Sequence, residues 1–277
     1  KRTTKTLQKI EVKRIRFIPD HFNSTESEFL SAPTENVLTP TQVFSWSIFG
    51  LLMLTTIGLQ VLSNFANDYG DGVKGTDNDD RIGPKRALQS GVISPAAMKR
   101  AIVITAFLTF LSAVLLIYTA FGLEYLYYSI FFLLLGIIAI ASAIRYTVGK
   151  SAYGYKGYGD IFVFVFFGLV STLGVNFLYA KEVDPLLILP AVAIGLLSVG
   201  VLNLNNMRDI ENDKIAGKNT LVVKMGLKWA KKYHEIILAI GMLSFMVFLM
   251  LIESSLLPVL LINIPIIMNM NKVNKSE

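Results

Sequence analysis

The stretch VFSWSIFGLLMLTTIGLQVLSNFANDYGD, residues 43–71, decides the fold of this chain. Its first 24 residues contain no charged side chain, and about 20 apolar residues are enough to cross the hydrocarbon core of a bilayer. Backbone groups in lipid must be hydrogen-bonded within their own segment, so the stretch is predicted to be a membrane-spanning helix. The apolar run then leads into Asn67, Asp68 and Asp71, which places carboxylates at one end of that helix.

Six further apolar stretches follow, and the composition of the whole chain agrees with them. Hydrophobic residues make up 53% of the chain and charged residues only 17%, against roughly 25% charged in soluble domains. We therefore predict an all-α fold, a polytopic transmembrane helical bundle over residues 42–271, flanked by polar tails at 1–41 and 272–277. The seven predicted spans cover approximately residues 43–66, 101–118, 125–144, 161–178, 186–204, 236–252 and 256–270.

Cysteine and histidine usage excludes several kinds of site. The chain has no cysteine and two histidines, His21 and His234, which are far apart in sequence. Disulfides, thiolate metal sites and cysteine nucleophiles are therefore excluded, and a histidine-based zinc site or a Ser/His/Asp triad is disfavoured. The formal net charge of +6 indicates basic cytoplasmic loops rather than a nucleic acid partner.

The basic residues are concentrated in every second loop. The loops at 67–100, 145–160 and 205–235 hold most of them, whereas the loop at 179–185 is the only intervening one with a lysine. By the positive-inside rule, the three basic loops are predicted to be cytoplasmic. Seven basic residues between positions 1 and 16 break this pattern, and we expect the N-terminus to be incomplete or mis-joined.

The first span ends in an acidic motif, NDYGDGVKGTD at residues 67–77. Asn64, Asp68 and Asp71 are spaced i, i+4 and i+7, so they share one face of a helix, and Asp77 follows in the loop. A charged group at membrane depth costs about 2.5–3.5 kcal/mol even on a lenient scale, so such carboxylates usually mark function. The alternative for one such motif by itself is a solvated helix end.

The fifth span ends in a second acidic motif, NNMRDIENDKIAGKNT at residues 205–220. Asn205, Asp209 and Asp213 are spaced i, i+4 and i+8, again on one helical face. Two bare acidic clusters at the same membrane depth would repel each other, and Mg²⁺ resolves this because it binds carboxylate and phosphate oxygens together. The two motifs therefore predict a split Mg²⁺–diphosphate site; a calcium loop is disfavoured because neither motif completes the EF-hand pattern.

A third stretch, RYTVGKSAYGYKGYGD at residues 145–160, interleaves lysine and tyrosine with glycine. This composition suits a loop that closes over a phosphate group. It suits equally well a membrane-interface loop whose tyrosines lie at headgroup level, and composition alone does not separate the two.

Four stretches together resemble the UbiA-type intramembrane prenyltransferases, and within them the branch that uses 1,4-dihydroxy-2-naphthoate (MenA type). They are residues 67–77, residues 83–94 (GPKRALQSGVIS), residues 154–164 (GYKGYGDIFVF) and residues 205–221. The resemblance covers about residues 45–270, and the combination is far more specific than an isolated pair of aspartates.

The resemblance implies a bundle of nine helices around a cavity that opens to lipid. About seven of the nine are visible, and we expect the first and the last to be absent from this chain. The implied reaction transfers a polyprenyl group from a polyprenyl diphosphate to 1,4-dihydroxy-2-naphthoate with Mg²⁺ as cofactor. The acceptor's carboxylate is lost and demethylmenaquinone is formed. The implied location is the bacterial inner membrane, with the site facing the cytoplasm.

The resemblance also implies roles for residues at the matching positions. The implied catalytic residues are Asp68, Asp71, Asp209 and Asp213, and the same four with Asp77 are the implied Mg²⁺ ligands. Three asparagines, Asn64, Asn67 and Asn205, are implied to complete or orient the surroundings of the metal. The other implied substrate-binding residues are Lys74, Arg86, Lys150, Tyr155, Lys156, Arg208 and Lys218.

Three other interpretations remain open at this point. A sister prenyltransferase with another acceptor, such as 4-hydroxybenzoate or haem, fits the same acidic motifs. A CDP-alcohol phosphotransferase also carries membrane aspartates, but Asp71-Gly72 is followed here by Val73-Lys74 rather than by an Ala-Arg pair. An ion-coupled transporter would place its carboxylates near the membrane midplane in broken helices, whereas these motifs lie at helix ends.

Overall fold

The computed structural model describes residues 44–77, 85–252 and 257–275. Within these ranges the regular structure is entirely helical and contains no strand, which confirms the predicted all-α fold. The predicted polar tail at 1–41 lies outside the described residues, as do Gly83 and Pro84 of the second matching stretch.

Nine helices are described, and we number them in chain order. They are α1 Trp46–Val73, α2 Pro95–Phe121, α3 Leu126–Arg145, α4 Gly159–Ala180, α5 Ile188–Arg208, α6 Ile210–Ile215, α7 Leu221–Met225, α8 Leu227–Leu251 and α9 Leu257–Lys275. Two 3₁₀ turns, Tyr153–Lys156 and Pro185–Leu187, precede α4 and α5.

Six helices in the described part, α1 to α5 and α8, are long and apolar enough to cross a membrane. They correspond to the first six predicted spans. The seventh predicted stretch is helical as α9, but α9 is not among the six. Its sequence contains four asparagines and two lysines, which lower its mean hydropathy.

The ends of α1 explain how the first acidic motif is positioned. Ser45 caps the beginning of α1, because its Oγ accepts a hydrogen bond from the Ile48 amide at 3.4 Å. The helix continues to Val73, seven residues beyond the predicted end of the apolar run. Asn67, Asp68 and Asp71 therefore lie on the last turns of α1, in agreement with the helical spacing of Asn64, Asp68 and Asp71.

The second acidic motif was predicted on one continuous helix, and this is only partly correct. Helix α5 ends at Arg208, Asp209 forms a turn, and α6 begins at Ile210. The i to i−4 backbone bonds nevertheless continue through the break. The Asp209 amide donates to the Asn205 carbonyl at 3.0 Å, and the Asp213 amide donates to the Asp209 carbonyl at 2.8 Å. The three side chains thus keep approximately the spacing of a helical face.

Helix α4 has an unusual middle section, a π-helix at Phe164–Gly174. Its backbone lies directly against α5, since a Cβ atom added to Gly168 would lie 2.7 Å from the Gly195 Cα atom. Helices α1, α2 and α3 form one packed group, and α4, α5 and α8 form another. Between these two groups lies the cavity that contains the candidate site.

Candidate active site

A cavity of about 820 Å³ lies between α1, α2, α3, α4 and α5. Most of its wall is apolar and includes Leu52, Leu116, Phe132, Phe166 and Val170. Its polar end lies where α1, α3 and α5 end and where α4 begins. The charged and amide side chains at that end are Asn64, Asn67, Asp71, Arg86, Asn205, Asn206, Arg208, Asp209 and Lys218. The volume is in the range of sites that enclose small organic ligands.

Asp71 is the centre of the charged end. It is almost fully buried, and its Oδ2 lies 3.2 Å from Arg86 Nη1 and 3.7 Å from Lys218 Nζ. Its Oδ1 accepts a hydrogen bond from the Tyr155 hydroxyl at 2.8 Å. Arg86 Nη1 also lies 3.3 Å from Asp77 Oδ2. One buried carboxylate therefore holds together the end of α1 and three separate loops.

The two acidic motifs lie together at the charged end of the cavity. Lys218 Nζ lies 3.7 Å from Asp71 Oδ2 and 3.7 Å from Asp213 Oδ1, so one ammonium group bridges the motifs. The Asn212 amide donates to the Thr76 carbonyl at 2.6 Å, which joins the two segments a second time. The site is thus assembled from residues more than a hundred positions apart in sequence.

Asp213 is held less completely than Asp71. Its side chain is buried, and Oδ2 has no hydrogen-bond partner within the described part of the chain. Asn212 Oδ1 is also buried and also has no hydrogen-bond partner there. Burial raises the pKa of Asp213 to about 6, against the opposing effect of the Lys218 ammonium. Buried oxygens without a partner need an explanation, and a bound cation or polar ligand would provide one.

Asp209 forms a local pair with its neighbour. Arg208 Nε and Nη2 donate to the two Asp209 carboxylate oxygens at 2.7 Å each. The pair is partly exposed and lines the cavity. Asn205 and Asn64 also line it.

Asp68 and Asn67 contact the backbone and side chains that surround the end of α1. Asp68 Oδ1 accepts from the Leu88 amide at 3.3 Å, and Asn67 Oδ1 accepts from the Thr147 hydroxyl at 3.3 Å. Asp68 is not part of the cavity wall, whereas Asn67 is. Asp68 therefore connects α1 to the segment after it.

Tyr155 and Lys74 support the site from behind the cavity wall. The Tyr155 ring lies 3.9 Å from Lys74 Nζ and 5.5 Å from Lys218 Nζ, and its hydroxyl lies 2.5 Å from Thr76 Oγ1. Lys74 Nζ donates to the Thr147 carbonyl at 2.6 Å. Burial lowers the pKa of Lys74. Burial and then the charge of Asp71 raise the pKa of Tyr155, so its hydroxyl remains a donor.

Two predicted substrate ligands lie away from the cavity. Lys150 and Lys156 are exposed and do not contribute to the cavity wall. Lys156 Nζ donates to Ser151 Oγ at 2.8 Å. Their role as substrate ligands stays a prediction.

The predicted metal ligands do not form a compact carboxylate cluster. Among the described residues, no three histidine, aspartate or glutamate side chains converge in the manner of a complete metal site. The donor chemistry still fits a hard cation, because Asp71, Asp77 and Asp213 supply carboxylate oxygens and Asn212 supplies an amide oxygen. In this arrangement Arg86 and Lys218 neutralise part of the negative charge.

Sequence reasoning missed several cavity residues. Tyr146, Tyr153 and Asn206 line the cavity, and Tyr153 stacks on Phe162 with ring centroids 3.9 Å apart. Burial raises the pKa of Tyr146 and of Tyr153. The tyrosine-rich composition of residues 145–160 was the available signal. Gln60, an isolated polar residue within an apolar run, also lines the cavity and gave no comparable signal.

Comparison with known proteins identifies the family. The chain matches the UbiA prenyltransferase family over residues 34–276. It is 48% identical over 207 residues to the 1,4-dihydroxy-2-naphthoate octaprenyltransferase of Haemophilus influenzae, covering 75% of this chain and 67% of that protein. It is 52% identical over 192 residues to the protein of the same name from Escherichia coli, covering 69% and 62%.

A more distant relative is named for the UbiA prenyltransferase domain. The chain is 30% identical over 186 residues to the UbiA prenyltransferase domain-containing protein 1 of Mus musculus, covering 66% of this chain and 52% of that protein. No solved structure matches the chain. The chain spans about two thirds of the length of the two bacterial relatives. From the family match and these identities, the chain belongs to the UbiA prenyltransferase family.

Proposed function

We propose that this multi-pass membrane protein transfers a polyprenyl group from a polyprenyl diphosphate to 1,4-dihydroxy-2-naphthoate. The observation that carries the proposal is the distribution of charged side chains in the cavity, which are confined to one end. An apolar chamber of about 820 Å³ ends at two carboxylates, Asp71 and Asp209, and two cationic side chains, Arg86 and Lys218. An amphiphile with an apolar tail and a polyanionic head matches such a chamber.

The basic residues support the departure of the diphosphate. The bond between the prenyl carbon and the diphosphate oxygen breaks, and the electron pair leaves with the diphosphate. Lys218, Arg86 and Arg208 carry the positive charge at the polar end of the cavity, where fixed charges stabilise the leaving group. Mg²⁺, when bound by the aspartates and Asn212, would supply further neutralisation of the diphosphate charge.

The aromatic wall supports the other half of the reaction. Tyr153 and Phe162 stack on each other, and Phe162 lies against Phe166. Their ring faces stabilise an allylic cation by cation–π attraction in a cavity that excludes most water. The electron-rich ring of the acceptor then forms the new carbon–carbon bond and releases its carboxyl group as CO₂. The product is demethylmenaquinone in its reduced form.

The choice of acceptor rests on the relatives. The bacterial relatives at 48% and 52% identity are named for 1,4-dihydroxy-2-naphthoate. A 4-hydroxybenzoate acceptor is the alternative within the family. We further propose a bacterial inner membrane location with the site on the cytoplasmic side, since the charged end of the cavity is formed by the three lysine- and arginine-rich loops.

The experiment measures prenyl transfer in membranes that contain this chain. Polyprenyl diphosphate and Mg²⁺ are supplied with either 1,4-dihydroxy-2-naphthoate or 4-hydroxybenzoate, and membranes with the Asp71→Ala variant serve as the control. We expect a prenylated product from the naphthoate only, and its loss when a chelator is in excess. Transfer to 4-hydroxybenzoate alone, or to neither acceptor, would overturn the proposal. Undiminished transfer in excess chelator would remove Mg²⁺ from it.

A further inference from the structure

A line of polar side chains continues from the charged end into the apolar part of the cavity. On α1 the residues Asn64, Ser63, Gln60 and Thr56 all contribute to the cavity wall. Gln60 is the largest of the four and is exposed to the cavity. Within the described residues, its side-chain amide has neither a hydrogen bond nor an ion pair. An unpartnered amide at membrane depth is costly, so a ligand that offers a hydrogen-bond partner is favoured there.

The depth of Gln60 can be derived from its neighbours. The Thr147 hydroxyl donates to the Ala66 carbonyl at 2.8 Å, so Ala66 is level with the end of α3. Gln60 precedes Ala66 by six residues in α1, which corresponds to about 9 Å at 1.5 Å per residue, in the direction away from the charged end. Along the same axis it lies about 16 Å from Asp71. Gln60 therefore lies below the charged end, within the membrane-spanning part of the bundle.

Neither end of the prenyl donor accounts for an amide at this depth. The diphosphate is attracted to Arg86, Arg208 and Lys218 at the charged end. The prenyl tail has no polar atoms and gains nothing from an amide. The acceptor is the remaining ligand, and its ring carries two hydroxyl groups that each need a hydrogen-bond partner in an apolar chamber.

The reaction brings the acceptor ring within reach of Gln60, which lies four residues, about 6 Å along α1, from Asn64 at the charged end. The transferred carbon is bonded directly to the diphosphate, so the ring must lie next to the charged end on its membrane side. The aromatic wall formed by Tyr153, Phe162 and Phe166 provides flat apolar surface in the same chamber. We infer that the Gln60 amide binds a ring hydroxyl of the aromatic acceptor and thereby selects the acceptor. This inference rests on the proposed function.

The test compares the kinetics of the wild-type chain with those of Gln60→Met. Methionine keeps the length of the side chain and removes both the amide donor and the amide acceptor. We expect the KM for 1,4-dihydroxy-2-naphthoate to rise about tenfold, the loss of one hydrogen bond to a bound ligand. We expect the KM for the polyprenyl diphosphate to change less than about twofold, because the charged end is untouched.

Inhibitor analogues identify the hydroxyl that is bound. The two monohydroxy-2-naphthoates, with the hydroxyl at position 1 or at position 4, are measured as competitive inhibitors against both proteins. The Ki of the analogue that retains the bound hydroxyl should rise about tenfold in Gln60→Met. The Ki of the other analogue should stay constant, because the contact is already missing. A variant that merely deforms the cavity would weaken both analogues equally.

Two further variants keep the test decisive. Gln60→Leu should reproduce the kinetics of Gln60→Met if the amide is responsible. Thr119→Val is the control, since the Thr119 hydroxyl donates to the Leu115 carbonyl on its own helix and is not part of the cavity wall. An unchanged acceptor KM in an active Gln60→Met protein, or equal increases in both KM values, would overturn the inference alone. A wild-type chain without naphthoate transfer would overturn the proposed function as well.

Discussion

The two acidic motifs meet at one site, but their carboxylates are held in different ways. In the first motif, Asp71 contacts a guanidinium, an ammonium and a tyrosine hydroxyl. In the second motif, Asp213 contacts Lys218 and keeps a buried oxygen without a described partner. Asp71 is thus a structural anchor as well as a site residue, whereas Asp213 retains capacity to bind something else.

The difference indicates a division of labour between the motifs. The partners of Asp71 come from the segment after α1 and from the loops before α4 and after α6, so its charge organises the polar end of the cavity. The oxygens of Asp213 and Asn212 that have no partner among the described residues point to the second motif as the part that completes its coordination with a ligand. Substitutions in the two motifs should therefore separate folding from activity.

The largest effect is expected from Asp71→Ala. This change leaves Arg86 and Lys218 without their shared buried carboxylate, and removing one partner of a buried pair typically costs about 3–5 kcal/mol. Because Arg86 is partly exposed, we expect about 3 kcal/mol of lost stability together with about a hundredfold loss of prenyl transfer, the upper effect of losing a residue that supports a metal site. Unfolding in detergent and product formation measure the two effects.

Asp184→Ala is the matched control for this prediction. Asp184 lies at the opposite end of the bundle and accepts from the Leu186 amide at 2.9 Å to cap a 3₁₀ turn. Its removal should leave prenyl transfer unchanged within about twofold, since only a local cap is lost. If Asp71→Ala retained wild-type stability, its role as an anchor would be wrong, whatever its activity.

A smaller total effect, confined to activity, is expected from Asp213→Asn. Burial raises the pKa of Asp213 to about 6, so the folded protein disfavours the ionised form. A neutral amide of the same size removes that cost, and it removes one of the two carboxylate partners of Lys218. We expect stability near that of the wild type and a loss of prenyl transfer of about 10–100-fold.

The Mg²⁺ dependence of the same variant distinguishes the two motifs further. If Asp213 provides oxygen to the metal, Asp213→Asn should require more Mg²⁺ for half-maximal transfer than the wild type does. A loss of stability as large as that of Asp71→Ala would contradict the division of labour, because both carboxylates would then be anchors.

The fold could be predicted from the sequence because hydropathy is local. Each of the six membrane-spanning helices contains a long run without a charged side chain, and a single apolar segment in lipid satisfies its own backbone hydrogen bonds as a helix. The ends of the helices could not be predicted in the same way. The apolar run stops at Ala66, whereas α1 continues for seven residues through Asn67, Asp68 and Asp71, and only the helical spacing of the polar residues indicated this extension.

The site was predictable in its acidic residues and not in its connections. The spacing of the aspartates identified both motifs, and their common membrane depth suggested that they meet. The contacts that join them, such as Asn212 to Thr76 and Tyr155 to Asp71, connect segments that are distant in sequence, and no local pattern contains that information. Gln60 was missed because one amide in an apolar run has no periodicity to reveal it.

The smallest effect is expected from Lys214→Gln, which removes a charge within the second motif itself. Lys214 Nζ lies 2.7 Å from Glu211 Oε1, and both side chains are largely exposed. Exposed pairs of this kind contribute little because water screens them, and neither residue is part of the cavity wall. We expect prenyl transfer and the unfolding midpoint to match those of the wild type, with activity within about twofold. The same assays used for Asp213→Asn provide the measurement. A large loss of activity in Lys214→Gln would show that the charge of the whole motif matters rather than the buried oxygens of Asp213 and Asn212, and the contrast between the two motifs would then rest on total charge instead of on burial.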